Sequence, residues 1–141
     1  VNLKNATQRV YGGTTIKVLP SDFMANEEAG VARSLQFVDN AGATGIKPGD
    51  NAIELLAFVD IPEGKKATHV DVYDASHNRA IEVFEVEIDA AGMTSKGSGN
   101  ANTQLDITDV NATATNFLMI VVTTTAKTDR VFGALVTIAN I

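Results

Sequence analysis

The chain has no cysteine and no tryptophan, only three prolines, and aromatic side chains limited to six Phe and two Tyr in 141 residues. Without cysteine there are no disulfides and no thiolate chemistry, and the redox compartment cannot be read from the sequence. Without tryptophan, Tyr11 and Tyr73 are thin support for stacking on a sugar ring. Basic residues are also scarce: 11 Lys and Arg stand against 17 Asp and Glu, for a net charge of −6. The only basic pair is Lys65-Lys66. Broad nucleic-acid binding needs clustered Lys and Arg, so it is excluded, and an acidic surface disfavours anionic membranes. No apolar run approaches the ~20 residues that span a bilayer as a helix. The longest, 117–122, is strand length.

What is present is a chain of ordinary domain size with a hydrophobic fraction of 45%, enough to fold around a core rather than stay disordered. Its end is the most explicit part. Segments 115–125 (TNFLMIVVTTT) and 130–140 (RVFGALVTIAN) are apolar and β-branched, joined by AKTD, and Ile141 follows at once. They read as paired end strands, the last of them part of the core. Upstream, 51–61 alternates, with Ile53, Leu55, Ala57, Val59 and Ile61 on one face and a mixed opposite face carrying Leu56 and Phe58. Segments 14–19, 31–38, 68–73, 80–89 and 103–110 read as further strands. In 80–89, apolar parity switches between Val83 and Phe84, which predicts a β-bulge. A short helix is placed at 21–30, and 39–50 and 90–102 are Gly-rich loops, the second expected to be flexible.

The expectation is an all-β protein: an antiparallel β-sandwich, jelly-roll-like, of about eight strands. Residues 1–12 are read as an N-terminal arm or edge segment and 13–141 as a single sandwich domain. An immunoglobulin-like sandwich is the runner-up.

Candidate chemistry is sparse. His69 and His77 are the only histidines. A metal site would need them to converge with Asp71 or Asp74, but no zinc-ligand spacing is present. They read instead as a strand histidine facing out and a loop histidine. Asp71, Asp74, Glu82, Glu85, Glu87 and Asp89 fall on one expected hairpin. They allow a glycosidase pair or a calcium site, the latter also at Asp39-Asn40 or 49–51, against the plainer reading of an acidic solvent face. Gly97-Ser98-Gly99 lacks the spacing of a nucleophile elbow. The sequons at Asn5 and Asn111 are read as chance matches, since no basic-then-apolar segment stands at the start of the sequence. No catalytic residue, cofactor or metal is expected, so the chain is read as a non-enzyme.

The paired end strands, the segment THVDVYDASHNRAIEVFEVEI, the absence of cysteine and the acidic, Thr/Asn/Ala-rich composition together resemble small structural proteins of tailed-phage virions, especially capsid decoration (cement) proteins. The resemblance implies a domain on the capsid exterior, often a dimer or trimer, that bridges coat subunits and has no catalytic residues. Partner contacts are then expected at the apolar ends, Val1, Leu3 and Ile141. The alternative is a carbohydrate- or receptor-binding β-sandwich module of a phage tail or fibre, with loops 39–50 and 90–102 as its site. A hydrolase built on the acidic hairpin is a third reading.

Overall fold

The computed structural model describes residues 10–11, 14–26 and 34–141. The strands are β1 (Val10–Tyr11), β2 (Thr15–Val18), β3 (Phe23–Ala25), β4 (Leu35–Val38), β5 (Gly45–Pro48) and β6 (Glu54–Val59). They continue with β7 (Lys65–Asp74), β8 (Ala80–Glu87), β9 (Met93–Asn100), β10 (Leu105–Asn111), β11 (Asn116–Thr123) and β12 (Val131–Asn140). All pairings are antiparallel and form two sheets. Sheet A has seven strands: β12 lies at its centre, with β2 and β5 along one side and β7, then β10, along the other. Sheet B runs β3-β6-β11-β8-β9. The chain is an antiparallel β-sandwich, as its alternation predicts.

The core lies between the sheets. From sheet B come Leu55, Ala57, Ile81, Val83, Leu118, Ile120 and Val122; from sheet A come Val70, Val72, Val131, Val136 and Ile138, all buried. A fully buried Leu or Val side chain contributes about 1.5–3 kcal/mol. The order of burial follows the period of two in β6, where Leu55, Ala57 and Val59 point in.

Eight of the strands answer to the eight expected segments; β1, β3, β5 and β9 are additional. The expected helix at 21–30 is corrected. Pro20–Asp22 form a single 3-10 turn, and Phe23–Ala25 pair with β6 and bury Phe23. The expected flexible loop at 90–102 is also corrected, because most of it is strand β9. Here Gly97 and Gly99 let another strand come close. A Cβ on either would lie 3.3 Å from Ile107 Cγ2 or Leu105 Cδ1 of β10, so the glycines allow β9 and β10 to close one edge of the sandwich.

Two expected hairpins are arches instead. β7 and β8 belong to different sheets, and so do β11 and β12. Each pair faces across the core rather than lying side by side. The physical reason is visible in the links. Asp74, buried at the end of β7, accepts the N–H groups of His77, Asn78 and Arg79 and so turns the chain over. Ser76 and Asn78 take positive φ there, at 66° and 52°. In the other link, Asp129 accepts the N–H groups of Thr125 and Ala126. Most of the expected arm at 1–12 lies outside the described residues, apart from Val10 and Tyr11, which pair with β2.

Candidate binding faces

The two outer faces of the sandwich differ in chemistry. On sheet A the outward row Thr15–Thr137–His69–Asp106 crosses four strands, and Lys17–Leu135–Asp71 runs parallel to it. Gln104 Nε2 donates to Asp71 Oδ2 at 3.2 Å, and His69 Nε2 lies 3.6 Å from Asp106 Oδ1. Thr68 Oγ1 sits 2.9 Å from His69 Nδ1. This face is rich in hydroxyl, amide, carboxylate and imidazole groups.

Two aromatic rings stand at one end of it. Tyr73 is 41% exposed and lies opposite Gly133, which has no side chain to cover it. Phe132 is 42% exposed and is the extra residue of a bulge, since Val131 pairs with Asp74 and Gly133 with Tyr73. Its neighbour must be glycine: Gly133 has φ of 144°, and a Cβ there would meet Val18 O at 2.6 Å. The Arg130 guanidinium lies 5.8 Å from the Phe132 ring centroid and donates to Thr44 O at 2.7 Å.

Sheet B presents the opposite character. Its outward central row is Phe58–Met119–Phe84, with Leu56–Val121 on one side and Phe117–Val86 on the other. Met24 and Met93 extend the patch onto the neighbouring strands, both exposed. Phe58 and Phe117 meet edge to face with centroids 5.8 Å apart. A sheet that is solvated on one side normally alternates apolar and polar residues, whereas β11 is apolar on both faces.

A third cluster joins the arches. Asp129 accepts Arg79 Nε at 2.8 Å and Arg79 Nη2 at 2.7 Å, and its Oδ1 lies 2.6 Å from His77 Nδ1. Burial pushes the Asp129 carboxyl up, but the hydrogen bonds from Arg79 and from the Ala126 and Thr125 N–H groups pull harder, and its pKa falls to about 2. The same contact raises Arg79. Every prong of this cluster is turned toward another part of the fold, which marks it as structural.

No protein-family model matches the chain, and no curated protein matches it. Solved structures do. One is the Clostridium thermocellum endo-1,4-β-D-xylanase 10B, CBM22-1 and GH10 modules, complexed with xylohexaose: TM-score 0.52, 15% identity, over 91% of this chain and 28% of that one. The chain thus spans little more than a quarter of that structure. Another is the CBM36-1 domain of a multidomain xylanase from the hindgut metagenome of Trinervitermes trinervoides: TM-score 0.50, 13% identity, over 90% of this chain and 98% of that one. At these identities the likeness is one of fold, the β-sandwich of carbohydrate-binding modules.

The residues singled out in the sequence are scattered by this fold. Val1 and Leu3 lie outside the described residues, as does the Tyr11 side chain. Ile141 is 64% exposed, with its N–H donated to Gly64 O at 3.1 Å. His69 is on the outer face of sheet A and His77 in an arch, so they do not converge. Among the described residues no group of three or more His, Asp or Glu could hold a metal ion. Asp50 caps the N–H of Asn51, and Asn51 Oδ1 accepts from Lys127, so these oxygens serve the loop.

The acidic hairpin is corrected along with the strand pairing. Asp71 faces out from sheet A, Asp74 is buried in the arch, and Glu82 faces out from sheet B, where it accepts from Ser95 Oγ at 2.7 Å. Glu85 and Glu87 accept from Asn116 and Thr115 at one end of sheet B. The carboxylates required for the hydrolase reading therefore lie on opposite sides of the molecule. The expected bulge is found at Val83/Phe84, but its extra residue is Lys96 of β9, and β8 stays in unbroken register with β11. The parity switch marks instead the point where β8 stops filling the core and starts covering the outer face. Phe132 was missed because a lone exposed aromatic beside a glycine has no periodic signature.

Proposed function

We propose that this domain is a non-catalytic carbohydrate-binding module that holds a glycan chain across the outer face of sheet A. The observation that carries the reading is Tyr73 and Phe132, half-exposed at one end of a face furnished with Asp71, Gln104, His69, Asp106 and Thr137. A sugar offers an apolar C–H face to a ring and hydroxyls at its edges. A site with few aromatics and fixed polar groups matches both. The shared fold with two structures that contain carbohydrate-binding modules, one of them solved with xylohexaose, supports the same reading. Hydroxyl contacts on an open face are wet and individually modest, so affinity in the micromolar range or weaker is expected.

The test is titration calorimetry with xylohexaose, cellohexaose and a mannan oligosaccharide, repeated on Tyr73→Ala and Asp71→Ala. Binding to at least one glycan, weakened about tenfold or more by Tyr73→Ala with melting temperature retained, is the expected result. Absence of binding across a broad glycan panel overturns it.

A second reading is kept because a specific surface favours it. The apolar outer face of sheet B suits contact with another protein, as capsid decoration requires. That reading locates the domain on the exterior of a virion, with coat protein as partner, and the comparisons lend it no support. It predicts saturable co-sedimentation with shells and no response to glycans.

A further inference from the structure

We infer that the outer face of sheet B is a self-association surface on which two copies of this chain pack back to back. The face is broad and mainly apolar, with its carboxylates set around the middle row rather than in it. Its middle row, Phe58–Met119–Phe84, carries no ionisable group from β6 to β8, and Leu56, Val121, Phe117 and Val86 flank it. The other outer face, on sheet A, is mainly polar, with Leu135, Tyr73 and Phe132 as its apolar groups. Apolar residues are thus concentrated on the outer face of sheet B beyond what solvent alone asks for.

Size and charge select the occupant. At a strand spacing of ~4.8 Å and ~3.4 Å rise per residue, four strands by three outward rows cover roughly 400 Å² in plan. Side-chain relief and the rim bring this toward the ~800 Å² that each partner buries in an interface of standard size. The chain carries a net charge of −6, so two copies repel over most of their surfaces. On this face the carboxylates are Glu54, Glu82 and Asp60, set around the middle row. A two-fold axis through Met119, along β11 or across it, places Glu82 and Asp60 of one copy opposite Leu56 and Val86 of the other, by the strand register. No carboxylate then opposes a carboxylate, and the Phe58–Met119–Phe84 row packs on its own copy. Such an isologous contact closes at two. Sheets pack face to face at ~10 Å with strands about 30° apart, which the twist of each copy supplies.

Back-to-back pairing leaves two sheet A faces pointing in opposite directions. A dimer would therefore bridge two ligand chains rather than grip one twice. The pairing stands or falls without the glycan reading, because it uses the other face.

The experiment is sedimentation velocity of the full chain from roughly 1 μM to 1 mM, on the wild type, Phe58→Glu, Phe84→Lys and Tyr73→Ala, each checked for folding by its thermal melt. The expected result is a wild-type monomer–dimer equilibrium weakened at least about tenfold by Phe58→Glu and Phe84→Lys and unchanged by Tyr73→Ala. A wild type that stays monomeric throughout overturns the inference and returns the face to a different protein, such as a coat subunit. So does a dimer that survives both folded variants, or a trimer, which a single two-fold face cannot build.

Discussion

Arg79 and Asp129 tie the two arches of the sandwich together through a two-pronged ion pair, Nε to Oδ2 at 2.8 Å and Nη2 to Oδ1 at 2.7 Å. Arg79 belongs to the link between β7 and β8, Asp129 to the link between β11 and β12. Each link carries the chain from one sheet to the other, so the pair fixes how the sheets are joined at that end. Replacing Asp129 by Ala leaves the Thr125 and Ala126 N–H groups and the guanidinium without their acceptor. A loss of roughly 1–3 kcal/mol in unfolding free energy is expected, read from urea denaturation. A loss near zero would show that water replaces the carboxylate without cost.

The same carboxylate sets an acid limit. Its folded pKa of about 2 lies below the ~3.9 of an unfolded Asp. Its stabilisation is therefore fully present above the unfolded value and is lost as pH falls through the folded one. The gap in melting temperature between wild type and Asp129→Asn should hold steady near neutral pH, begin to close around pH ~4 and be largely gone near pH ~2. A gap that stays constant down to pH ~2 would contradict this assignment to Asp129.

Two glycines separate two kinds of constraint. Gly133 combines a φ of 144° with a backbone oxygen 2.6 Å from where a Cβ would sit. Gly133→Ala should cost more than about 2 kcal/mol and displace Phe132 with it. Gly99 faces only the end of the Leu105 side chain at 3.3 Å, which can move aside. Gly99→Ala should cost no more than about 1 kcal/mol. Equal costs in chemical denaturation would contradict this account of the β12 bulge.

Much of the sandwich was legible because alternation reports which side chains point inward. Ile53 just before β6, Leu55, Ala57 and Val59 in β6, and Val70 and Val72 in β7 are buried as that rule requires. Alternation does not say which sheet a strand joins. THVDVY and AIEVFEVE look the same whether the six residues between them make a hairpin or an arch, and only the buried Asp74 decides it. β9 was illegible for a different reason. MTSKGSGN has almost no apolar residue, and its strand is held by pairing to β8, with glycines where β10 comes close. The apolar outer face was partly visible in Leu56 and Phe58 and in the parity switch at Phe84, but its extent needed the pairing of β6, β11 and β8. The polar face was least visible, since Tyr73, Gln104 and Phe132 come from three separate segments.

The most direct test of the binding account is a backbone amide NMR titration of the isotope-labelled domain with xylohexaose, followed by the other oligosaccharides. The account predicts saturable shift changes centred on Tyr73, Asp71, Gln104 and Phe132, with the outer face of sheet B silent. Changes confined to sheet B, or none with any glycan at millimolar concentration, would contradict it.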